Sequence, residues 1–147
     1  MHTIIVIAPQ TRTRQLVTLL KKHRAVFEEY RLLSTTETGE VLERDTGLEI
    51  SHVFPARKGG DLQLCGLVCT NSVLAVFFLH DPLSSDPADP DILPFLRACD
   101  LNNVPLATNI VTAHALALWL GRKIETDAQA EAESESAPAE AERSALQ

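Results

Sequence analysis

Two apolar runs, at residues 3–8 and 73–79, constrain the fold of this chain more than any other feature. Neither run alternates between polar and apolar residues, so a strand formed by either must be covered on both of its faces. Parallel sheets provide that environment, because their crossover helices lie on both sides of the sheet. The run at 73–79 is the more hydrophobic of the two, which predicts that it forms the central strand.

Helix-like and strand-like segments alternate along the rest of the chain as far as residue 120. The remaining predicted strands are 30–34, 50–54 and 104–107, and the predicted helices are 11–25, 38–44, 61–69, 91–99 and 111–120. Each parallel pair of strands needs a right-handed crossover through a helix. We therefore predict a three-layer α/β/α sandwich with a five-stranded parallel sheet, a Rossmann-like fold.

The negative charge of the chain is concentrated at its C-terminal end. The 147 residues have a formal net charge of −7, and residues 124–147 hold seven acidic residues and a single basic one, Arg143. This segment consists mainly of Ala, Glu and Ser, and it buries too little apolar surface to offset the entropy of ordering. We predict a folded domain at 1–123 and a disordered acidic tail at 124–147.

Composition and charge argue against several classes of function. The body is nearly neutral, has no basic stripe and belongs to a chain with only 5% aromatic residues, which argues against nucleic-acid binding. No apolar run approaches the roughly 18 residues of a membrane span, and residues 1–8 are interpreted as a strand, not a signal segment. The three cysteines lack metal-ligand spacing and are expected to be reduced thiols. We expect a cytoplasmic protein with neither a nucleic-acid nor a membrane partner.

Ligands of parallel α/β sheets bind beyond the carboxyl ends of the strands, and polar segments follow three of the predicted strands. In the segment 54–61, Asp61 follows a glycine pair at the start of a helix, where it acts either as a helix cap or as a functional carboxylate. In the segment 34–39, clustered hydroxyls at a helix start suit either phosphate binding or an ordinary capping turn. Neither a dinucleotide-binding nor a Walker-type glycine motif is present.

The third polar segment, at residues 80–91, carries four aspartates and three prolines. Such a cluster indicates either a cation site or carboxylates with separated pKa values. The loop lacks the glycine and the terminal glutamate of a calcium-binding EF loop, which makes metal binding the weaker interpretation. In the remaining interpretation, Asp89 and Asp91 simply cap the next helix.

Four motifs, in their order and spacing, resemble the methylglyoxal synthase family. They are Gly-Gly-Asp at 59–61, Phe-Phe-Leu-His-Asp-Pro-Leu at 77–83, Asp-Pro-Asp at 89–91 and Pro-Leu-Ala-Thr-Asn at 105–109. The threonine-rich turn that ends at Gly39 also resembles the phosphate loop of that family. The resemblance covers residues 3–120 and leaves the acidic tail outside.

The resemblance implies conversion of dihydroxyacetone phosphate to methylglyoxal and inorganic phosphate, with no metal and no organic cofactor. Asp61 falls on the catalytic aspartate of the family, and Asp91 falls on a second active-site aspartate that would assist in proton handling. The positions implied for phosphate binding are Thr35, Thr36, Thr38 and, through its backbone N–H, Ala56. The resemblance also implies a homo-oligomer and, as partner, a small phosphorylated substrate.

This sequence departs from the family pattern at the proposed site. The family carries a His-Asp pair and a lysine after the first strand, where this chain has Pro9, Gln10 and Thr13. Ala88 replaces a substrate-binding histidine, and Glu37 adds a carboxylate to the phosphate loop. The candidate substitutes for the lost cation are Arg12, Arg14, Arg57 and Lys58. These departures support a second hypothesis, a non-catalytic methylglyoxal synthase-like module that binds a small phosphorylated ligand.

Overall fold

The structure, a computed structural model, describes residues 2–145, with side-chain detail as far as residue 136. Its five strands are β1 (Thr3–Ile7), β2 (Arg31–Thr35), β3 (Ile50–Val53), β4 (Val73–Phe78) and β5 (Leu106–Ala107). The helices are α1 (Thr13–Lys22), α2 (Arg24–Phe27), α3 (Thr36–Thr46), α4 (Gly60–Val68), α5 (Ile92–Asn102) and α6 (Ile110–Ala145), and short 3-10 turns lie at Gln10–Arg12 and Ala56–Lys58. The predicted alternation of strands and helices is confirmed.

All five strands pair in parallel, in the order β3-β2-β1-β4-β5. The predicted parallel sheet is confirmed, but the prediction that residues 73–79 form its central strand was wrong, because β1 is central and β4 lies beside it. A continuous apolar run indicates only that a strand is buried on both faces. Since β1 and β4 are both buried in this way, hydrophobicity alone does not show which of them is central. The strand order reverses between β1 and β4, which marks the edge where α/β proteins bind ligands.

Two apolar cores cover the two faces of the sheet. Along β1, Ile4 and Val6 enter one core while Ile5 and Ile7 enter the other, as the period of two in a strand requires. The first core is completed by residues of α1, α2, α3 and α6, and the second by residues of α4 and α5. The three-layer arrangement is therefore confirmed, and all three cysteines are free thiols.

α6 has a buried N-terminal part and an exposed continuation. Leu116, Ala117 and Leu120 belong to the first core, whereas every side chain from 125 to 136 is exposed. The backbone is helical as far as Ala145, through the segment for which we predicted disorder. Alanine and glutamate are strong helix formers, but a helix without tertiary contacts is marginal in water, so disorder of 124–147 in solution stays a prediction. No described helix is both long and apolar enough to cross a membrane.

His23 and His114 join the connection between α1 and α2 to α6. His23 Nε2 lies 2.9 Å from His114 Nδ1, so one ring nitrogen donates a hydrogen bond and the other accepts it. Burial lowers the pKa of His23, and the charges of His114 and Lys22 lower it further. The contact therefore requires that at least one of the two imidazoles stays neutral.

We expect truncation after residue 124 to change the melting temperature by less than about 3 °C, because the removal of exposed side chains usually alters stability by about 0.5 kcal/mol or less. Thermal unfolding followed by circular dichroism measures this change. Leu120→Ala in the full chain is the matched control, since Leu120 is fully buried and its truncation costs about 2–5 kcal/mol. A truncated chain that melts as early as this control would show that the tail docks on the body.

We expect the free energy of unfolding to decrease as pH falls from 7.5 to 5.5. The pKa of His23 in the folded state lies below its unfolded value of 6.5, so the unfolded state binds more protons as pH falls through that value. Urea titrations at the two pH values measure the loss. His23→Gln should reduce it, whereas His2→Gln, at an exposed histidine, should leave it unchanged. Identical pH dependence in His23→Gln and the parent chain would contradict the assignment.

Candidate active site

A cleft of about 390 Å³ opens at the carboxyl edge of the sheet. Its walls come from the end of β1, the start of α3, the turn after β3 and the loop before α5. The lining residues used below are Ala8, Pro9, Glu37, Glu40, Arg57 and Ala88. The parallel sheet thus brings the three polar segments identified in the sequence to one place.

The threonine turn at the start of α3 is held in place by its own hydroxyls. Thr35 Oγ1 donates to Thr38 Oγ1 at 3.3 Å, and Thr38 Oγ1 donates to the carbonyl oxygen of Ala8 at 2.9 Å. Thr36 Oγ1 donates to the carbonyl oxygen of Val53 at 2.6 Å. Thr35 is the N-cap residue of α3, but its side chain makes no capping hydrogen bond. Because each hydroxyl has a single hydrogen, the donors that this turn offers to an anion are the backbone N–H groups of the helix start.

Glu37 reaches across the cleft to the turn after β3. Its Oε1 accepts the backbone N–H of Ala56 at 2.8 Å, and this N–H is the group that the family resemblance directs towards phosphate. Glu37, which adds a carboxylate to the threonine turn, thus lies in the lining of the cleft. No sequence pattern marks this contact, because the two residues are 19 positions apart and meet only after β2 and β3 have paired.

The glycine pair at the start of α4 is required for two different reasons, backbone conformation at Gly59 and lack of space at Gly60. Gly59 has φ of +88°, a left-handed conformation that favours glycine. A Cβ atom on Gly60 would lie 1.7 Å from the carbonyl oxygen of Phe54. The close backbone approach at Gly60 is therefore to the chain itself. The turn brings Asp61 into the first turn of α4.

Asp61 is a buried carboxylate, with only 8% of its surface exposed. Its Oδ2 accepts the backbone N–H of Asp91 at 2.9 Å, and its Oδ1 accepts that of Leu62 at 3.0 Å. Gly59 is the N-cap of α4, so Asp61 connects the helix to a distant loop and does not serve as the simple cap considered from sequence. Burial, followed by the Asp61 charge, raises the pKa of Cys65 to about 12, which keeps this neighbouring thiol neutral.

The acidic loop before α5 is stabilised by hydrogen bonds to its own carboxylates. Asp91 is exposed and is the N-cap of α5, where its Oδ1 accepts the backbone N–H of Leu93 at 3.0 Å. Asp89 accepts the hydroxyl of Ser84, and Asp86 accepts a backbone N–H within the loop. The capping interpretation is therefore confirmed for Asp91 and was wrong for Asp89, whose carboxylate is bound within the loop. Within the described residues, no group of three or more His, Cys, Asp or Glu side chains is arranged to hold a metal ion.

Of the four candidate cations, Arg57 is the one that lines the cleft. Arg12 lies 3.7 Å from the Asp81 carboxylate, whose pKa is lowered mainly by a hydrogen bond from Thr11 and also by the Arg12 charge. Arg14 lines an adjoining groove between α1 and α3, which shares Glu37 and Thr38 with the cleft. Arg57 pairs with no described carboxylate, so its guanidinium is available to an anion.

Two replacements of family residues remove side-chain donors from the cleft. Pro9 and Ala88 line the cleft in place of histidines. Thr13, in place of the lysine, donates its hydroxyl hydrogen to the carbonyl oxygen of Pro9 at 3.0 Å. Thr13 therefore does not supply the positive charge that a lysine would bring.

Comparisons with known proteins agree with the resemblance seen in the motifs. The MGS-like domain family matches residues 15–108. Methylglyoxal synthase of Thermus thermophilus is 39% identical over 120 residues, which cover 82% of this chain and 95% of that protein. Methylglyoxal synthase of Burkholderia multivorans is 38% identical over 122 residues, 83% of this chain and 94% of that protein.

A solved structure agrees with the fold. The crystal structure of methylglyoxal synthase from Elizabethkingia anophelis has a TM-score of 0.75 and 31% sequence identity to this chain. The match covers 79% of this chain and 76% of the crystallised chain. With the sequence matches, it shows that this chain belongs to the methylglyoxal synthase family of MGS-like domains.

Proposed function

We propose that this protein is a phosphate-eliminating lyase that converts dihydroxyacetone phosphate to methylglyoxal and inorganic phosphate. The observation that carries the proposal is the buried Asp61 carboxylate, held by two backbone N–H groups at the carboxyl edge of the sheet. The relatives of this chain in Thermus thermophilus and Burkholderia multivorans bear the name methylglyoxal synthase, which supports the same activity.

The reaction requires one base and one anion site. The base removes a proton from the hydroxymethyl carbon next to the carbonyl, and the electron pair of that C–H bond forms an enediolate. The enediolate then expels phosphate as the C–O bond at the opposite carbon breaks. The resulting enol takes up a proton at that carbon and becomes methylglyoxal, so no water and no oxidant are consumed.

Asp61 has the properties of the base. A carboxylate has about four lone-pair positions, and the two backbone N–H groups occupy only two of them. The same hydrogen bonds hold the side chain in one orientation, as a general base requires. In this proposal Asp91 orients Asp61 through its backbone N–H and assists in proton handling through its exposed carboxylate.

The phosphate group would bind at the threonine turn. Backbone N–H groups at the start of an 11-residue helix favour an anion, and here the N-cap side chain does not occupy them. Arg57, across the cleft, supplies a planar guanidinium that suits phosphate oxygens. Thr35, Thr36, Thr38 and Ala56 shape this site in the proposal.

The second candidate function, a non-catalytic module for a small phosphorylated ligand, is favoured by one observation. Pro9 and Ala88 line the cleft with side chains that donate no hydrogen bonds, so stabilisation of the enediolate oxygens is weakened. The loss of one preorganised donor costs about 10²–10³ in rate. Turnover separates the two candidates.

We also propose that the protein works in the cytoplasm as a homo-oligomer. Exposed leucines on α4 and α5, Leu62, Leu93 and Leu96, offer apolar surface for contacts between subunits. The homo-oligomer implied by the family resemblance supports this assignment.

Asp61→Asn is expected to lower turnover of dihydroxyacetone phosphate by about 10²–10⁴, because the amide does not take up a proton at neutral pH. Phosphate release gives the rate, and a melting curve verifies that the variant is folded. Asp100→Asn, an equal charge change at an exposed residue of α5 outside the cleft, is the control and should retain the parent rate. Undiminished turnover in Asp61→Asn would refute Asp61 as the base. No turnover in the parent chain, together with phosphate-ligand binding, would favour the module.

Inorganic phosphate and dihydroxyacetone phosphate are expected to raise the melting temperature, whereas dihydroxyacetone should not, since only the first two present a phosphate to the threonine turn. Thermal-shift titrations of all three compounds measure this difference. Arg57→Gln should reduce the shift, and Lys58→Gln, the same change at the adjacent residue, should not. Equal and negligible shifts for all three compounds would remove phosphate recognition from the proposal.

A further inference from the structure

Glu37 is the acidic residue in the first turn of α3. A negative charge at this end of a helix interacts favourably with the helix dipole. That role would be fulfilled by a side chain directed into solvent. Instead, its carboxylate binds a backbone N–H of a different element, the turn Ala56–Lys58, at 2.8 Å. Glu40, one helical turn further along the cleft, has no hydrogen-bond partner for its side chain among the described residues. Glu43 also accepts a backbone N–H from another element, that of Ile50 at 3.1 Å, but Glu43 does not line the cleft. Among the glutamates of α3 that line the cleft, Glu37 is therefore the one that holds a backbone donor there.

We propose that Glu37 determines the affinity of this cleft for phosphate, because its carboxylate occupies the position of a phosphate oxygen at the Ala56 N–H. A phosphate group gains this donor only when it displaces Glu37. This inference rests on the proposed assignment of the threonine turn to phosphate, and it adds a specificity-determining residue to that site. It concerns ligand affinity and is independent of the base at Asp61.

The charges around the cleft strengthen the competition. Two anions near one donor repel each other, and the repulsion is larger at a protein surface than in bulk water. The charged side chains of the cleft are Glu37, Glu40, Arg57, Asp86 and Asp89. Arg57 is thus the one cation of this described lining, set against four carboxylates. Glu37 also lines the neighbouring groove, whose cations are Arg14 and Arg44, and Arg44 is paired there with Asp45.

The contact has a consequence for the proposed reaction. Inorganic phosphate is its product, and a carboxylate that returns to the Ala56 N–H competes with that product for the donor. Glu37 therefore weakens the hold of the cleft on both substrate and product. The chain is expected to release phosphate readily and to require a high concentration of a phosphorylated ligand.

The test uses glycerol 3-phosphate, a phosphate monoester that has no carbonyl group and is not turned over. Calorimetric titration at pH 8 compares the parent chain with Glu37→Ala, Glu37→Gln and Glu40→Gln. Glu37→Ala removes both the charge and the acceptor, and it should bind the probe about 10- to 100-fold more tightly. Glu37→Gln removes the charge but keeps an acceptor, so its gain should be smaller. Glu40→Gln changes the same charge without the contact and should change the affinity less than about threefold.

Two results would overturn the inference. Glu37→Ala and Glu37→Gln that bind the probe no more tightly than Glu40→Gln would show that the contact is only structural. Weaker binding by both Glu37 variants would show that the carboxylate supports the ligand. Turnover by Asp61 tests the proposed lyase separately, so tight binding in Glu37→Ala without turnover in any variant retains this inference and rejects the lyase.

Discussion

β1 lies at the centre of the sheet and is buried on both faces. Its neighbours are β2 on one side and β4 on the other, so the sheet extends from β1 in both directions. The chain fills one side through β2 and β3 and then crosses to β4 and β5. The segments that follow β1, β2, β3 and β4 consequently meet at one carboxyl edge. The cleft is a product of this strand order, which in turn depends on a strand that is apolar on both faces.

Asp61 and Glu37 both accept backbone N–H groups at the carboxyl edge of the sheet, but the two contacts have different consequences. Asp61 is buried and accepts the N–H of Asp91, which links α4 to the loop before α5 and leaves lone pairs for a proton. Glu37 is exposed and accepts the N–H of Ala56, the donor that the proposed function assigns to phosphate. In the proposed function, the Asp61 arrangement supplies the base, and the Glu37 arrangement competes with the phosphate group of the ligand. Catalysis and phosphate affinity can therefore vary separately.

Much of the fold was predictable because the local sequence patterns indicate the same strands and helices that the sheet contains. Continuous apolar runs indicated buried parallel strands, and helical periods between them indicated the crossovers. The error at the central strand has a physical origin, because β1 and β4 are equally buried and hydrophobicity does not rank strands within the buried set. At the site, the capping role of Asp91 was predictable from its place before a helix. The contacts of Asp61 and Glu37 were not, because their partners lie 30 and 19 residues away.

The sequence by itself determined the parallel α/β architecture, the segments that reach the ligand-binding edge and the family to which the chain belongs. It did so because periodicity, apolar runs and motif spacing are properties of local order along the chain. The tertiary structure decided which donors and acceptors are already paired within the cleft. It directed Glu37 to Ala56, Arg12 to Asp81 and the hydroxyls of the threonine turn to the chain itself. Such pairings depend on where distant backbone groups meet after the strands have assembled, and no local pattern encodes that geometry.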